Sequence, residues 1–109
     1  MANVPYMDTL TLTTSGQVYN LYSLLSAADI QLPKHAQALL IQGDVDAGAA
    51  RFFIGDKKLL ANANSYGAVL ESGWSYGIDS VGANLLCLDE IYISSDTNAQ
   101  KLHVTVVTR

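Results

Sequence analysis

Residues 73–77 carry a short motif that is associated with nucleophilic catalysis. They read Gly-Trp-Ser-Tyr-Gly, which matches G-x-S-x-G, the turn that holds the nucleophilic serine of α/β-hydrolases. His103 follows Ser75 with Asp79 and Asp89 between them, so the chain order serine, aspartate, histidine is also present. Such a turn needs a strand before the serine and a helix after it. Because the residues after Ser75 are poor helix formers, we expect a glycine-shaped hairpin here and no enzyme.

Metal binding is the second chemistry that the residue types suggest. Residues 44–48 read Asp-Val-Asp-Ala-Gly, like the start of a calcium loop. An EF-hand loop needs an oxygen ligand at its fifth position, glycine at its sixth and glutamate at its twelfth, and this stretch has glycine, alanine and glycine there. His35 and His103 have no partner at metal-ligand spacing, and the single cysteine, Cys87, excludes an internal disulfide. We therefore expect no metal and no cofactor.

Trp74 and Tyr76 are the aromatic residues with the clearest binding potential. They have the same parity in an extended chain and lie beside a turn. Core packing is the default expectation for both residues. The alternative is that together they form a sugar-stacking platform or anchor a protein interface.

The composition indicates a protein that buries part of its surface against other subunits. The chain has 109 residues, enough for one domain, and charged residues make up only 15% of it while 50% are hydrophobic. Ordinary soluble domains have about 25% charged residues. A net charge of −4 argues against nucleic acid as a partner. We expect no membrane span and, because the N-terminal sequence lacks a basic and apolar leader pattern, synthesis in a cytoplasm.

The elements that would position these residues are mostly short strands. Residues 9–13 alternate Thr and Leu, which predicts a half-buried strand with Leu10 and Leu12 inward. Asn20 precedes an apolar pattern of helical spacing and predicts one short helix over residues 21–28. Residues 37–44 and 51–55 predict two strands of one hairpin, with a further short strand beginning at residues 59–60.

The longest apolar run covers residues 84–95 and predicts a central strand. Its inward side changes parity at Asp89 and Glu90, which predicts a β-bulge there. The last strand, residues 101–108, places Leu102, Val104 and Val106 inward. About eight strands separated by turn residues predict an all-β fold, either a β-sandwich or a jelly roll.

The first eight residues predict an arm outside the single sandwich domain of residues 9–109. Pro5 cannot donate to a ladder, and Val4, Tyr6 and Met7 are apolar without a periodic partner. The arm either frays or docks on a neighbouring subunit through Val4, Tyr6 and Met7.

The second half of the chain resembles small structural proteins in the virions of tailed bacteriophages. The resemblance is carried by three stretches: residues 69–76 (Val-Leu-Glu-Ser-Gly-Trp-Ser-Tyr), 84–86 (Asn-Leu-Leu) and 88–93 (Leu-Asp-Glu-Ile-Tyr-Ile). It extends with weaker patterns over most of residues 9–109. In those proteins, a turn with glycine precedes a leucine-aspartate-x-isoleucine-aromatic strand in a β-sandwich.

The resemblance implies a non-enzymatic role in a virion, synthesised in the cytoplasm of a bacterial host. A capsid decoration or cement subunit is the first expectation, with the major capsid protein or another virion protein as partner and a homo-oligomer, preferably a trimer, as the state. The alternative is a carbohydrate- or receptor-binding, lectin-like module of a head fibre or tail that uses Trp74 and Tyr76.

Overall fold

The computed structural model describes residues 4–28, 34–62, 64–79 and 85–108. Its elements in chain order are β1 (Val4–Leu12), β2 (Tyr19–Asn20), α1 (Leu21–Ala28), β3 (His35–Ala36), β4 (Ala38–Gly43), β5 (Phe52–Gly55), α2 (Lys58–Ala61), β6 (Ala68–Leu70), β7 (Ser75–Asp79), β8 (Leu86–Cys87), β9 (Tyr92–Ser95) and β10 (Gln100–Thr108). A 3-10 turn, Leu88–Glu90, joins β8 to β9.

The ten described strands pair as one long hairpin that is folded back on itself. The first pairs with the last (β1 with β10), β2 pairs with β9, β3 with β8, β4 with β7, and β5 with β6, all antiparallel. Additional pairing of β10 with β4 and of β5 with β9 closes two four-stranded sheets. Sheet A has the order β1-β10-β4-β7 and sheet B the order β2-β9-β5-β6. This nested pairing is a jelly roll, so the predicted all-β fold is confirmed.

The core lies between the two sheets and comes from the alternation of the strands. Leu12, Ile41 and Leu102 of sheet A and Phe52 and Ile93 of sheet B are fully buried. Each such side chain contributes about 1.5–3 kcal/mol relative to an exposed one. The inward positions predicted for the first and last strands are confirmed.

Helix α1 has the bounds that the sequence predicts. The Asn20 side chain accepts a hydrogen bond from the Ser23 backbone N–H at 3.1 Å, as an N-cap residue does. Its amide nitrogen donates to the Asp89 carbonyl at 2.7 Å, which fixes the helix start against the 3-10 turn. The helix packs against β1 and β2, where the two sheets would otherwise part.

Four local predictions are wrong, each because a distant contact decides the outcome. Strands β4 and β5 are not hairpin partners but lie in opposite sheets, and the loop that joins them buries Ala47 and Ala50. The predicted bulge at residues 89–90 is the 3-10 turn, through which the chain passes from the two-stranded β3-β8 ribbon into sheet B. Residues 59–60 lie in helix α2.

The fourth correction concerns the predicted arm. Residues 4–8 form the first half of β1 and pair with residues 104–108 of β10, so the strand runs through the boundary expected at residue 8. Residues 1–3 lie outside the described part of the chain. Burial of Leu10 and Leu12 holds the second half of β1 in register and lets the ladder extend towards residue 4.

Candidate interaction surface

The residues of the hydrolase-like motif do not assemble into a catalytic site. Ser75 begins β7, an edge strand of an antiparallel sheet, and is followed by more strand instead of a helix. His103 shares a row with it, but Gln42 of β4 lies between them. Because neighbouring strands are about 4.8 Å apart, the serine and the histidine are two strand spacings from each other.

His103 is instead held by two other side chains. Its Nε2 lies 3.0 Å from Asp44 Oδ1, and its Nδ1 lies 3.0 Å from Thr9 Oγ1. The contacts tie the loop after β4 to the outward side of β10 and β1. All three groups are solvent-accessible, and an ion pair in such a setting contributes at most about 1 kcal/mol.

No cluster of three or more His, Cys, Asp or Glu side chains among the described residues has the arrangement of a metal site. In the calcium-like stretch, the Asp44 carboxylate faces His103, and Asp46 is exposed. Within the same residues, neither helix combines the length and apolar composition that crossing a membrane requires.

Within the part of the chain that the structure describes, no other sheet packs on the outer face of sheet A. Odd-numbered residues of β1, β10 and β7 and even-numbered residues of β4 point away from the core, because side chains alternate along a strand. The described outward side chains are Met7, Thr9, Thr11, Ala38, Leu40, Gln42, Ser75, Asp79, Lys101, His103, Thr105 and Val107, with Gly77 among them. Only Asp79, Lys101 and His103 of this set can carry charge.

An apolar stripe runs across the middle of this outer face. Met7, Thr105, Leu40 and Gly77 form one row of the ladder, in which Met7 is 75% exposed and Leu40 45% exposed. The Leu40 side chain extends over Gly77, since its Cδ1 lies 3.7 Å from where a Cβ on that glycine would be. The next row adds Ala38 and Val107. With Leu40 they form an apolar group on the adjacent strands β4 and β10, while Thr105 separates Met7 from it. An exposed apolar group of this kind is a candidate for a surface that other proteins cover.

The outer face of sheet B differs, because the chain covers part of it. Phe53 of β5 packs against Tyr66 from the segment before β6, with ring centroids 4.9 Å apart. Ser94 of β9 lies beside Phe53 and is buried. Asp96 after β9 accepts a hydrogen bond from the Arg51 backbone at 2.8 Å. On sheet B, therefore, an outward aromatic side chain is covered by the same chain, although the covering Tyr66 is itself 42% exposed.

The five predicted partner-binding residues do not form one site. Tyr6 and Tyr76 are half-buried and pack against the core, whereas Met7 and Trp74 are exposed, Trp74 by 53%. Met7 lies on β1 and Trp74 adjoins β7, at opposite edges of sheet A. Val4 pairs with Thr108 through its backbone, and its side chain lies outside the described part of the structure.

Sequence reasoning missed Leu40, Ala38 and Val107, which occupy the outward side of the central strands. The signal was present in the consecutive Leu39, Leu40 and Ile41, which make β4 apolar on both faces. The other strands that contribute to the outer face of sheet A depend on the order of strands in the sheet, and neighbouring residues in the sequence do not predict that order.

The single cysteine, Cys87, ends β8 directly before the 3-10 turn. Cys87 Sγ donates a hydrogen bond to Asp89 Oδ1 at 2.7 Å, which together with desolvation raises the pKa of the thiol. The same bond lowers the pKa of the Asp89 carboxyl, and Lys34, whose Nζ lies 3.6 Å from Oδ2, lowers it further. The pairing leaves the thiol protonated and structural.

Comparison with solved structures places the same fold in viral coat proteins. The tobacco streak virus coat protein, in a C2 crystal form at 2.1 Å, aligns with a TM-score of 0.56 and 13% identity over 98% of this chain and 85% of that one. A coat protein dimer of the same virus gives 0.50 and 11% over 97% and 85%. A virus-like particle of the extra small virus of the giant freshwater prawn Macrobrachium rosenbergii gives 0.47 and 12% over 100% and 81%.

Comparison by sequence gives no match, either to a protein-family model or to a curated protein. At 11–13% identity, the two tobacco streak virus structures establish a shared fold. The class defined here is therefore an antiparallel jelly roll of the kind also found in viral coat proteins.

Proposed function

We propose that this chain is a non-enzymatic structural protein of a virus particle that acts by packing against other subunits. The observation that carries the proposal is the agreement in fold with a coat protein over 98% of this chain and 85% of that one. Because nearly the whole of both chains is matched, the jelly roll itself is the functional unit. A shell subunit requires no catalytic residues, only surfaces that bind neighbours.

The outer face of sheet A supplies such a surface. Its apolar stripe contains Met7 and Leu40, and few charges oppose burial of the surrounding polar side chains. Burial of apolar area yields about 25 cal/mol per Å², so a modest patch of this kind drives association when repeated around a particle.

Two positions in a particle are compatible with this surface. As a coat subunit, the chain forms shells by itself. As a decoration or cement subunit on a bacteriophage head, the position expected from the sequence, it bridges neighbouring capsid proteins and forms only a small oligomer, such as a trimer, when alone. We propose the decoration role as the specific form, since the low charged fraction of 15% suits a small subunit that buries much of its surface on a larger lattice.

The test is the state of the purified chain as its concentration rises, measured by size exclusion with light scattering and by negative-stain electron microscopy. A closed small oligomer that co-sediments with bare capsids supports decoration. Shells formed from the chain alone support a coat subunit and overturn decoration. A monomer at every concentration that ignores capsids overturns the virion role.

A carbohydrate-binding module is the second candidate, favoured by the exposure of Trp74. Tyr76 faces the core, so the tryptophan has no stacking partner from β7. Because Trp74 is the single tryptophan, its fluorescence reports directly on this role. A saturable change on adding a glycan, lost in Trp74→Ala and kept in Tyr66→Ala, would support it.

A further inference from the structure

Sheet A has two edges, and they differ in whether another strand can pair with them. An edge strand presents unpaired N–H and C=O groups, and proteins often block such an edge to prevent association. The edges here are β1 and β7, which lie at opposite ends of the sheet.

The edge at β1 is blocked. The Lys101 and Val107 carbonyls of β10 accept hydrogen bonds from backbone N–H groups on the β4 side, at 3.3 and 2.7 Å. The backbone groups of the odd-numbered β10 residues therefore point towards β4. The backbone groups of the even-numbered β10 residues therefore bond to β1. It follows that the backbone N–H and C=O groups of the odd-numbered β1 residues point away from β10, towards the open edge. Of these, Pro5 has no N–H, and the Thr9 N–H already donates to Asp8 Oδ1 at 2.8 Å. A strand added at this edge would lose those two donors.

The edge at β7 is not blocked in this way. The Gly43 N–H donates to the Trp74 carbonyl at 2.9 Å, which shows which residues of β4 and β7 exchange backbone hydrogen bonds. The backbone groups of Ser75, Gly77 and Asp79 then point away from β4, and none of the three is proline.

The residues of β7 are complementary to themselves when read in the opposite direction. If two copies pair antiparallel about Gly77, Ser75 lies opposite Asp79 of the second copy and Tyr76 lies opposite Ile78 of it. A hydroxyl then faces a carboxylate, which accepts its hydrogen bond. The half-buried tyrosine meets a β-branched side chain, a favourable cross-strand pair.

We propose that β7 pairs antiparallel with β7 of a second copy of this chain, about a two-fold axis at Gly77, so that two sheets A form one continuous sheet. Three hydrogen-bonded residue pairs give about six backbone bonds across the axis. The axis also brings the apolar stripes of the two copies into line, because Leu40 lies over Gly77. This inference rests on the proposed function, since it supplies the subunit contact from which a particle is built.

Amide hydrogen exchange of the full chain tests the pairing directly. Among the described residues, no strand lies on the outward side of Gly77, so we expect its amide to exchange fast in dilute protein. We expect its exchange to slow at least tenfold as dimer forms, while the outward amide of Met7 on the other edge does not change. Equal protection of both amides, or of neither when dimer is present, would overturn the proposal.

Substitutions on β7 test the register. Gly77→Pro removes only an outward N–H and is expected to weaken dimerisation at least tenfold, whereas Gly77→Ala, whose Cβ has ordinary contacts at 3.7 Å, leaves it unchanged. Ser75→Lys places a positive charge opposite Asp79 of the second copy and strengthens association. Ser75→Asp places two negative charges together and weakens it. Dissociation constants come from sedimentation equilibrium, and circular dichroism verifies that each variant is folded.

The outcomes separate this inference from the proposed function. If oligomers or particles form but the two Ser75 variants associate equally and Gly77→Pro has no effect, the β7 contact is wrong and the virion role stands. If Gly77→Pro does not fold, the two Ser75 variants still test the contact, because Ser75→Lys is expected to strengthen dimerisation and Ser75→Asp to weaken it. A folded chain that binds capsids but never dimerises also overturns the β7 contact and leaves the virion role standing.

Discussion

The two sheets bury equivalent inner faces but differ on their outer faces. Sheet B has Phe53 covered by Tyr66 of the same chain, whereas sheet A leaves Met7 and Leu40 in solvent. An apolar side chain that the fold covers contributes to the stability of the single chain. One that the fold leaves bare contributes only when another molecule covers it. From this difference we expect sheet B to serve mainly folding and sheet A to serve association, and substitutions on the two sheets test that expectation.

The largest effect is expected at a glycine on the inner side of sheet A. A Cβ at Gly43 would lie 2.8 Å from the Glu71 carbonyl oxygen and 3.0 Å from the Phe52 ring. We expect Gly43→Ala to lower the free energy of unfolding by about 1–3 kcal/mol, as overpacking does. The outward Gly77→Ala serves as the control and changes it by less than about 0.5 kcal/mol. Urea titration of both variants measures the difference, and equal values would contradict the assignment of inner and outer sides.

The next effect compares the two outer faces. Phe53→Ala removes a half-buried ring that contacts Tyr66 and should lower the free energy of unfolding by about 2 kcal/mol, below the 3–5 kcal/mol of a fully buried phenylalanine. Leu40→Ala on sheet A leaves no enclosed cavity and should cost less than about 1 kcal/mol. Thermal and urea unfolding of dilute, monomeric protein give the values. A larger loss at Leu40 than at Phe53 would reverse the comparison.

A charge on the bare face should affect association more than folding. Leu40→Glu buries a carboxylate in any contact made by the apolar stripe, and we expect at least a tenfold weaker association, about 1.4 kcal/mol. Leu60→Glu is the matched control, because Leu60 is 58% exposed on α2 and does not belong to sheet A. Light scattering across a concentration series compares the two variants. Equal weakening would mean that net charge, and not the sheet A face, controls assembly.

The smallest effect concerns pH and the turn that leads into sheet B. The pKa of Asp89 is lowered by the Cys87 thiol and by Lys34, so ionised Asp89 favours the folded state. This contribution is present above the unfolded value near 3.8 and is lost as pH falls through the lower folded pKa. Asp89→Asn lacks this contribution at every pH. Between pH 7 and a pH below about 4, its melting temperature should therefore fall less than that of the unsubstituted chain.

The same substitution gives a second measurement on Cys87. Without the Asp89 carboxylate, the pKa of the thiol falls towards the ordinary value of a cysteine, and alkylation by iodoacetamide at pH 8 becomes faster. An unchanged alkylation rate would show that burial alone protects the thiol.

The sequence predicts those parts of the fold that depend on neighbouring residues. Alternation places Leu10 and Leu12 inward, and the cap residue Asn20 sets the start of α1. It does not predict which strands pair, because β4 lies between β10 and β7, and the residues that select these partners are far away in the chain. The expected hairpin of residues 37–44 and 51–55 fails for this reason.

The interaction surface was predictable to a similar extent. Two-faced apolar strands indicated that an outer surface is covered, and Leu40 belongs to such a strand. Parity also grouped Trp74 with Tyr76, yet only Trp74 is exposed, because it lies beyond the end of β7 where the core no longer covers it. Whether Met7, Trp74 and their neighbours bind a partner stays a prediction that the substitutions above test.

The pairing of β1 with β10 also affects how the chain folds during its synthesis. β10 follows every other strand in sequence, yet it lies in the interior of sheet A between β1 and β4. Sheet A cannot close until residues 100–108 have left the ribosome. Until then, the inward leucines of β1 and β4 have no strand between them, which leaves the nascent chain open to aggregation. We therefore expect this domain to fold only after residues 100–108 have emerged, and a ribosome stalled before residue 100 to hold it unfolded and dependent on chaperones.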